Sequence, residues 1–243
     1  MADHPASAPS AASAQGNLTL RILSSLVLAP VALAITYLGG WAFALFWTIV
    51  AAIVLWEWAR LVTAAGLRGF SLIDWLAGGF AYAALLLVAP LLLRRDPALG
   101  LAAVLFVFAI VWATDIAAYF AGRAIGGPKL WPVVSPKKTW SGAAGGTLGG
   151  IAAGLLVAKF AGLVVAPMLV IVALGLSIVA QAGDLLESAI KRHFGAKDSS
   201  HLIPGHGGLM DRLDGFLTAA AAAAMVGLLR GGFDGTARGL LVW

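Results

Sequence analysis

Seven apolar runs, at residues 22–38, 41–56, 75–93, 98–120, 142–158, 162–183 and 215–229, take up more than half of this 243-residue sequence. A helix needs about 20 apolar residues to cross the hydrocarbon core of a bilayer, and these runs reach that length or fall a little short of it. None alternates polar and apolar residues as the strands of a membrane barrel do. Only 11% of residues are charged, against roughly a quarter in an average soluble domain. A domain of this length keeps too much surface to hide the surplus of apolar side chains. A soluble globular enzyme is excluded, and so is a disordered chain. Seven spans would use roughly 140 residues and leave about 100 for tails and loops. The expected fold is all-α: a polytopic integral membrane protein of about seven transmembrane helices, within a range of six to eight, forming one domain over 21–243. Residues 1–20 read as a mobile polar tail. Their opening, MADHPASAPSAASAQG, has no basic run ahead of an apolar stretch and is not a signal peptide. Trp41, Trp56, Trp58, Trp75, Trp131 and Trp140 fall near the ends of runs, where interfacial aromatics sit.

The sequence has no cysteine, which excludes disulfides, thiolate metal sites and cysteine nucleophiles. Its basic residues stand singly between apolar runs and make no face for nucleic acid, so the net charge of +5 points to anionic lipid headgroups or an anionic substrate. With seven spans, eleven basic residues fall on one side: Arg21, Arg60, Arg68, Arg123, Lys129, Lys137, Lys138, Lys191, Arg192, Lys197 and Arg212. Five fall on the other, Arg94, Arg95, Lys159, Arg230 and Arg238. The richer side is the cytoplasmic one, and it receives the amino terminus and both long polar loops, 122–141 and 184–214. Six glycines between 142 and 154 and the alanine run 219–224 suit close helix packing. Such faces permit a homodimer without requiring one. There is no internal repeat of the kind that marks inverted-repeat transporters.

Charge is concentrated in one place. Asp184, Glu187, Asp198, Asp211 and Asp214 are five of the eleven acidic residues, and they share the 184–214 window with Lys191, Arg192, Lys197, Arg212 and three of the four histidines. A solvated loop would also be charged, but crowding of both signs suits a site holding metal and phosphate together, carboxylates on the cation and cations on phosphoryl oxygens. On a helix continuing out of the sixth run, Asp184, Ser188 and Lys191 share a face. Asp211 and Asp214 make a second pair at the start of the last run, where the helix dipole makes capping a competing role, above all for Asp214. Between them, IPGHGGLMDRLD offers Gly205, Gly207 and Gly208, whose bare backbone lets amides approach an anion. His206 fits a proton donor, a phosphate ligand or a turn residue, whereas His193 and His201 read as incidental. The histidines lack a compact zinc spacing; magnesium, with oxygen ligands and substrate phosphates, fits better.

The other long loop carries SPKKTW (135–140), with Lys137, Lys138 and the Thr139 hydroxyl placed to meet a polyphosphate or an anionic membrane surface. Asp115 lies inside the fourth run, with Tyr119 and Arg123 at successive turns of the same face. A carboxylate at that depth is costly and marks either a functional site or a partner for another helix. Glu57, beside Arg60, reads as an interface anchor. Two function classes follow. A metal-dependent enzyme on a phosphorylated lipid needs a phosphate site at the membrane surface, whereas a transporter needs charged or broken elements near mid-membrane in several spans. Asp115 alone is clearly intramembrane, which favours the enzyme.

The stretch SAIKRHFGAKDSSHLIPGHGGLMDRLDG (188–215) resembles the signature of the phosphatidate cytidylyltransferase, or CDP-diglyceride synthase, family. It matches at Ser188, Lys191, Arg192, Lys197, Asp198, His206, Gly207, Gly208, Asp211, Arg212, Leu213 and Asp214. DIAAYFAGR (115–123), SPKKTW and GDLLES (183–188) look like the accompanying segments. One departure is Ser141, where the family commonly carries Glu. The resemblance implies attack of a phosphatidate phosphate on the α-phosphorus of CTP, giving CDP-diacylglycerol and pyrophosphate at the cytoplasmic face of the inner (plasma) membrane. It also implies magnesium, with a second cation left open. By similarity, Asp184 and Asp211 are the expected metal ligands, and Lys191, Arg192, Lys197 and Arg212 neutralise phosphates. Lys137, Lys138 and Thr139 face a substrate, and Asp115 and Tyr119 line the polar end of the cavity. The nearest alternative is a related CTP-dependent transferase acting on another lipid phosphate or a polyprenol.

Overall fold

Each of the seven apolar runs is helical over most of its described residues in the computed structural model, which describes residues 26–200, 202–203 and 207–243. The helices are α1 (Leu26–Leu38), α2 (Gly40–Ala64), α3 (Gly69–Arg94), α4 (Gly100–Ile125), α5 (Trp140–Phe160), α6 (Pro167–His193), α7 (Met210–Gly231) and a short α8 (Thr236–Leu241). Six of them, α2 to α7, are long and apolar enough to cross a membrane, and α1 is a shorter apolar helix. The tail 1–20, Arg21, His201, Gly205 and His206 lie outside the described residues.

Two connections between the apolar runs carry regular structure of their own. The polar stretch 59–74 is mostly helix: α2 continues through Glu57 and Arg60, and α3 starts at Gly69, leaving a turn at 65–68 in which Gly66 takes φ 72. Each added helical residue closes another backbone hydrogen bond, so polar side chains at a membrane surface do not stop a helix. The stretch 122–141 is not all helix and coil. Gly126 and Gly127 (φ 68 and 100) end α4, and an antiparallel hairpin follows, β1 (Lys129–Trp131) on β2 (Ser135–Thr139). The pairs are Lys129 with Thr139 and Trp131 with Ser135. An isolated two-stranded hairpin is marginal. This one is anchored by buried Val134 and by Thr139, whose Oγ1 accepts from Gly142 N at 3.1 Å and caps α5.

The glycine series of α5 packs onto α4. A Cβ at Gly146 would stand 2.7 Å from Thr114 O, and one at Gly149 would stand 2.5 Å from Ala117 Cβ. Thr114 and Ser177 share a buried 2.7 Å hydrogen bond that joins α4 to α6 beneath Gly150. In lipid, helix association rests on such close van der Waals contact and interhelical hydrogen bonds. The glycine face is thus occupied within one protomer. Gly150→Val would drive its Cβ to 2.3 Å from Thr114 Oγ1, and we expect it to destabilise by about 1–3 kcal/mol or more. Gly175→Val, whose Cβ meets nothing within 4 Å, should leave the unfolding temperature in detergent nearly unchanged. Equal effects of the two substitutions would refute the packing role.

At the centre, Trp47 of α2 and Phe108 of α4 stack on Phe216 of α7 at centroid distances of 5.1 and 4.7 Å. Ala219, Ala220 and Ala223 are fully buried along the same helix. Trp58 is not interfacial as its position near a run's end implied. It is buried over Gly79 of α3, and its Nε1 donates to Trp75 O at 2.8 Å. Trp41 and Trp140 are exposed.

Candidate active site

Five elements close around one cavity of about 790 Å³. The end of α4 supplies Asp115, Tyr119 and Arg123, and the hairpin supplies Lys129, Lys137, Lys138 and Thr139. From α6 come Gln181, Asp184 and Lys191, from the following loop Asp198, and from α7 Asp211, Arg212 and Asp214. Six cations and five carboxylates therefore face one space. Chain segments far apart in sequence meet here because α6 and α7 cross closely at Gly183, where a Cβ would lie 2.1 Å from Thr218 Oγ1. That crossing brings Asp184 beside the start of α7.

Ion pairs tie these elements together. Lys138 of β2 pairs with Asp184 of α6, and Ser188 Oγ donates to Asp184 Oδ1 at 3.4 Å. Lys191 Nζ stands 2.6 Å from Asp211 Oδ1 and 2.9 Å from Glu187 Oε1, a carboxylate only 1% exposed. Lys129, Lys137 and Arg212 enter none of the ion pairs among the described residues, so their charge is available to an anionic ligand. Arg123 Nη1 reaches Tyr119 OH at 3.4 Å along the exposed end of α4. All the basic and acidic groups of the cavity sit at one end of the bundle apart from Asp115, which is not the pattern of a mid-membrane transport pathway.

The glycine turn does something other than expected. Gly208 N donates to Asp211 Oδ2 at 2.8 Å, and Ser199 N donates to the same oxygen at 3.0 Å. The neighbouring amides of Leu209 and Met210 donate to Glu57 Oε1 and Oε2 at 2.9 and 2.7 Å. The anions that these amides approach are the protein's own carboxylates, and neither Gly207 nor Gly208 lines the cavity. A Cβ at Gly208 would meet Ser199 Oγ at 1.9 Å and Glu57 Oε1 at 2.8 Å. Glycine is needed here for close approach within the protein. Capping falls to Asp211, in the first turn of α7, and to Glu57; Asp214 lies a turn further in and faces the cavity.

Glu57 is the residue that sequence reasoning misplaced. It is fully buried, not an exposed interface anchor, and also accepts from Ser199 Oγ at 3.2 Å and Ser200 Oγ at 2.5 Å. An acid inside an otherwise apolar helix was the available signal, but its partners are more than 140 positions away. Glu187 was counted in the charged window without a role of its own, and Gln181 was overlooked. Gln181 stands one turn before Asp184 on the same helix, with its Nε2 donating to Thr147 Oγ1 at 3.0 Å. Besides Gly207 and Gly208, three further candidates stay outside the cavity lining: Ser188, Arg192 and Lys197. Arg192 Nη1 donates to Ala196 O at 3.2 Å at the surface. Ser141, at the position of the expected Glu, donates to Gly126 O and lies 3.1 Å from Thr139 Oγ1, so it ties the end of α4 to the start of α5.

Among the described residues no group of three acidic or histidine side chains forms a ready-made metal cage. The donor set still fits magnesium, which characteristically takes one or two carboxylates and completes its shell with water and substrate phosphate. Asp184 has the greater spare capacity. Asp211 already accepts from Lys191, Ser199 and Gly208.

Residues 68–229 match the family model described as the cytidylyltransferase family. The phosphatidate cytidylyltransferase of Brucella suis biovar 1 (strain 1330) is 41% identical over 255 residues, covering 88% of this chain and 94% of that protein. The protein of the same name from Brucella melitensis biotype 1 is 40% identical over the same shares. That of Staphylococcus epidermidis (strain ATCC 12228 / FDA PCI 1200) is 50% identical over 119 residues, 49% of this chain and 46% of its own. With a cavity that mixes carboxylates and cations at one end of a membrane bundle, and with this similarity along nearly its whole length, the chain belongs to the cytidylyltransferase family.

Proposed function

We propose that this protein is a phosphatidate cytidylyltransferase, converting CTP and phosphatidate to CDP-diacylglycerol and pyrophosphate. The observation that carries the reading is the cavity itself. Six cations and five carboxylates face one space beside membrane-spanning helices, as two anionic substrates and a hard cation require, one of the substrates being a lipid. A phosphate oxygen of phosphatidate attacks the α-phosphorus of CTP, the new P–O bond forms as the bond to the β-phosphate bridge breaks, and pyrophosphate leaves. No covalent enzyme intermediate is needed, since alignment and charge neutralisation supply the rate.

Asp184 and Asp211 would hold magnesium, which when bound withdraws charge from phosphoryl oxygens. Lys137, Lys129 and Arg212 neutralise the phosphates that approach from the open side. Lys138 and Lys191 hold the two acidic residues in place and stand ready to exchange a carboxylate for a phosphate. Lys137→Ala should raise the Michaelis constant for CTP or phosphatidate about tenfold, the worth of one charge-assisted hydrogen bond. Unchanged constants for both substrates would return Lys137 to the solvated surface.

The active site faces the cytoplasm at the inner membrane in this reading. Ten lysines and arginines of the described residues lie at the cavity end of the bundle and five at the other, the asymmetry that orients membrane proteins. The deciding experiment incubates purified protein with CTP, magnesium and phosphatidate. CDP-diacylglycerol and pyrophosphate should form in equal amounts, and chelation of the magnesium should stop both. Absence of both products with active lipid and nucleotide would overturn the assignment.

A further inference from the structure

The β1–β2 hairpin presents apolar side chains where a loop in water would present polar ones. Leu130 and Val134 are turned inward, and Leu130 lines the cavity. Trp131 and Val133, at the tip, are 47% and 85% exposed. Trp140, where β2 runs into α5, and Ile125, at the end of α4, are exposed as well. The two helices that flank the hairpin in sequence both span the membrane and pack on each other. The hairpin therefore lies at the level where they leave the bilayer, which is the level that tryptophan favours. Lys129 and Lys137, one on each strand, line the cavity behind the tip, and ammonium groups at that level attract anionic headgroups.

We propose that this hairpin is a lipid-seated lip. Trp131 and Val133 rest in the headgroup–acyl boundary of the leaflet, and Lys129 and Lys137 pass an anionic lipid from that leaflet into the cavity. The observations that carry it are the exposed apolar tip, the basic pair behind it and the continuity of both with the cavity. The identity of the lipid rests on the phosphatidate reading, but the seating of the tip does not.

Because the sequence has no cysteine, Val133→Cys can carry a single nitroxide in the full-length protein reconstituted into vesicles containing anionic phospholipid. Its collisions with oxygen should exceed those with a water-soluble nickel chelate. A nitroxide more accessible to the chelate overturns the proposal. In the kinetic arm, combined Trp131→Ser and Val133→Ser should raise the Michaelis constant for long-chain phosphatidate in vesicles about tenfold. The constant for CTP, and turnover of short-chain, water-soluble phosphatidate, should stay as in the parent. An unchanged constant for the long-chain lipid, or equal losses on both lipids, also overturns it. If the parent protein turns over no phosphatidate, the functional reading fails and the nitroxide measurement still decides the seating of the lip.

Discussion

Asp184→Asn should lower CDP-diacylglycerol formation on the order of a thousandfold, the scale on which loss of one charge-stabilising group acts in an active site. The substitution keeps the shape of the side chain and removes its charge. Asp184 is the cavity carboxylate best placed to show this, because among the described residues its only ion-pair partner is Lys138, and its side chain is 28% exposed to the cavity. Losing the pair frees Lys138 at a partly wet surface, where the structural cost is about 1 kcal/mol or less. The unfolding temperature should therefore change little while turnover collapses, and raised magnesium should restore only part of the rate. Near-normal turnover at low magnesium would remove Asp184 from the metal site. Asp211→Asn is a less clean test. The Asp211 side chain is only 5% exposed and is bound to Lys191, Gly208 N and Ser199 N. Removing one charge of a buried pair costs about 3–5 kcal/mol, so loss of activity there would mix chemistry with loss of the fold.

Glu57→Gln should also lower activity, less steeply and by a different route. Each carboxylate oxygen of Glu57 accepts one hydroxyl and one backbone amide, Ser200 and Leu209 on Oε1, Ser199 and Met210 on Oε2. An amide side chain must turn its NH2 toward one of these donor pairs whichever way it is flipped, and an unsatisfied buried donor costs about 1–3 kcal/mol. The helix also loses a negative charge at its amino-terminal end. Asp198 and Arg212 on the 194–212 segment would lose their positions in the cavity. We expect a lower unfolding temperature, faster proteolysis within 196–209 and turnover reduced about a hundredfold. Glu57 does not line the cavity, so added substrate should slow the proteolysis by binding the ordered form. Parental stability, proteolysis and turnover together would show that the clamp is dispensable.

Much of the architecture could be read before any fold was seen because a bilayer imposes a one-dimensional rule. An apolar run must be helical to satisfy its own backbone, and an excess of flanking lysine and arginine biases its orientation. The fixed spacing of Lys191, Asp198, Asp211, Arg212 and Asp214 likewise carried the resemblance to a family, and these five side chains do line one cavity. Local exceptions were harder to read. The hairpin at 129–139 depends on two positive-φ glycines and on anchoring by Val134 and Thr139, none of which periodicity detects.

Membrane class, the succession of apolar helices and the crowding of charge in 184–214 were therefore written along the chain, since each depends on near neighbours in sequence. Which groups meet was decided by tertiary structure alone. Lys138 reaches Asp184 across 46 positions, and Glu57 receives Met210 N across 153. Because of those pairings, the amides of Gly208, Leu209 and Met210 bind carboxylates of the protein itself, while the lysines of the hairpin are left facing the cavity. A hydrogen bond is a matter of about 3 Å and correct direction, and only the packing of α2, α6 and α7 against one another sets distances of that size.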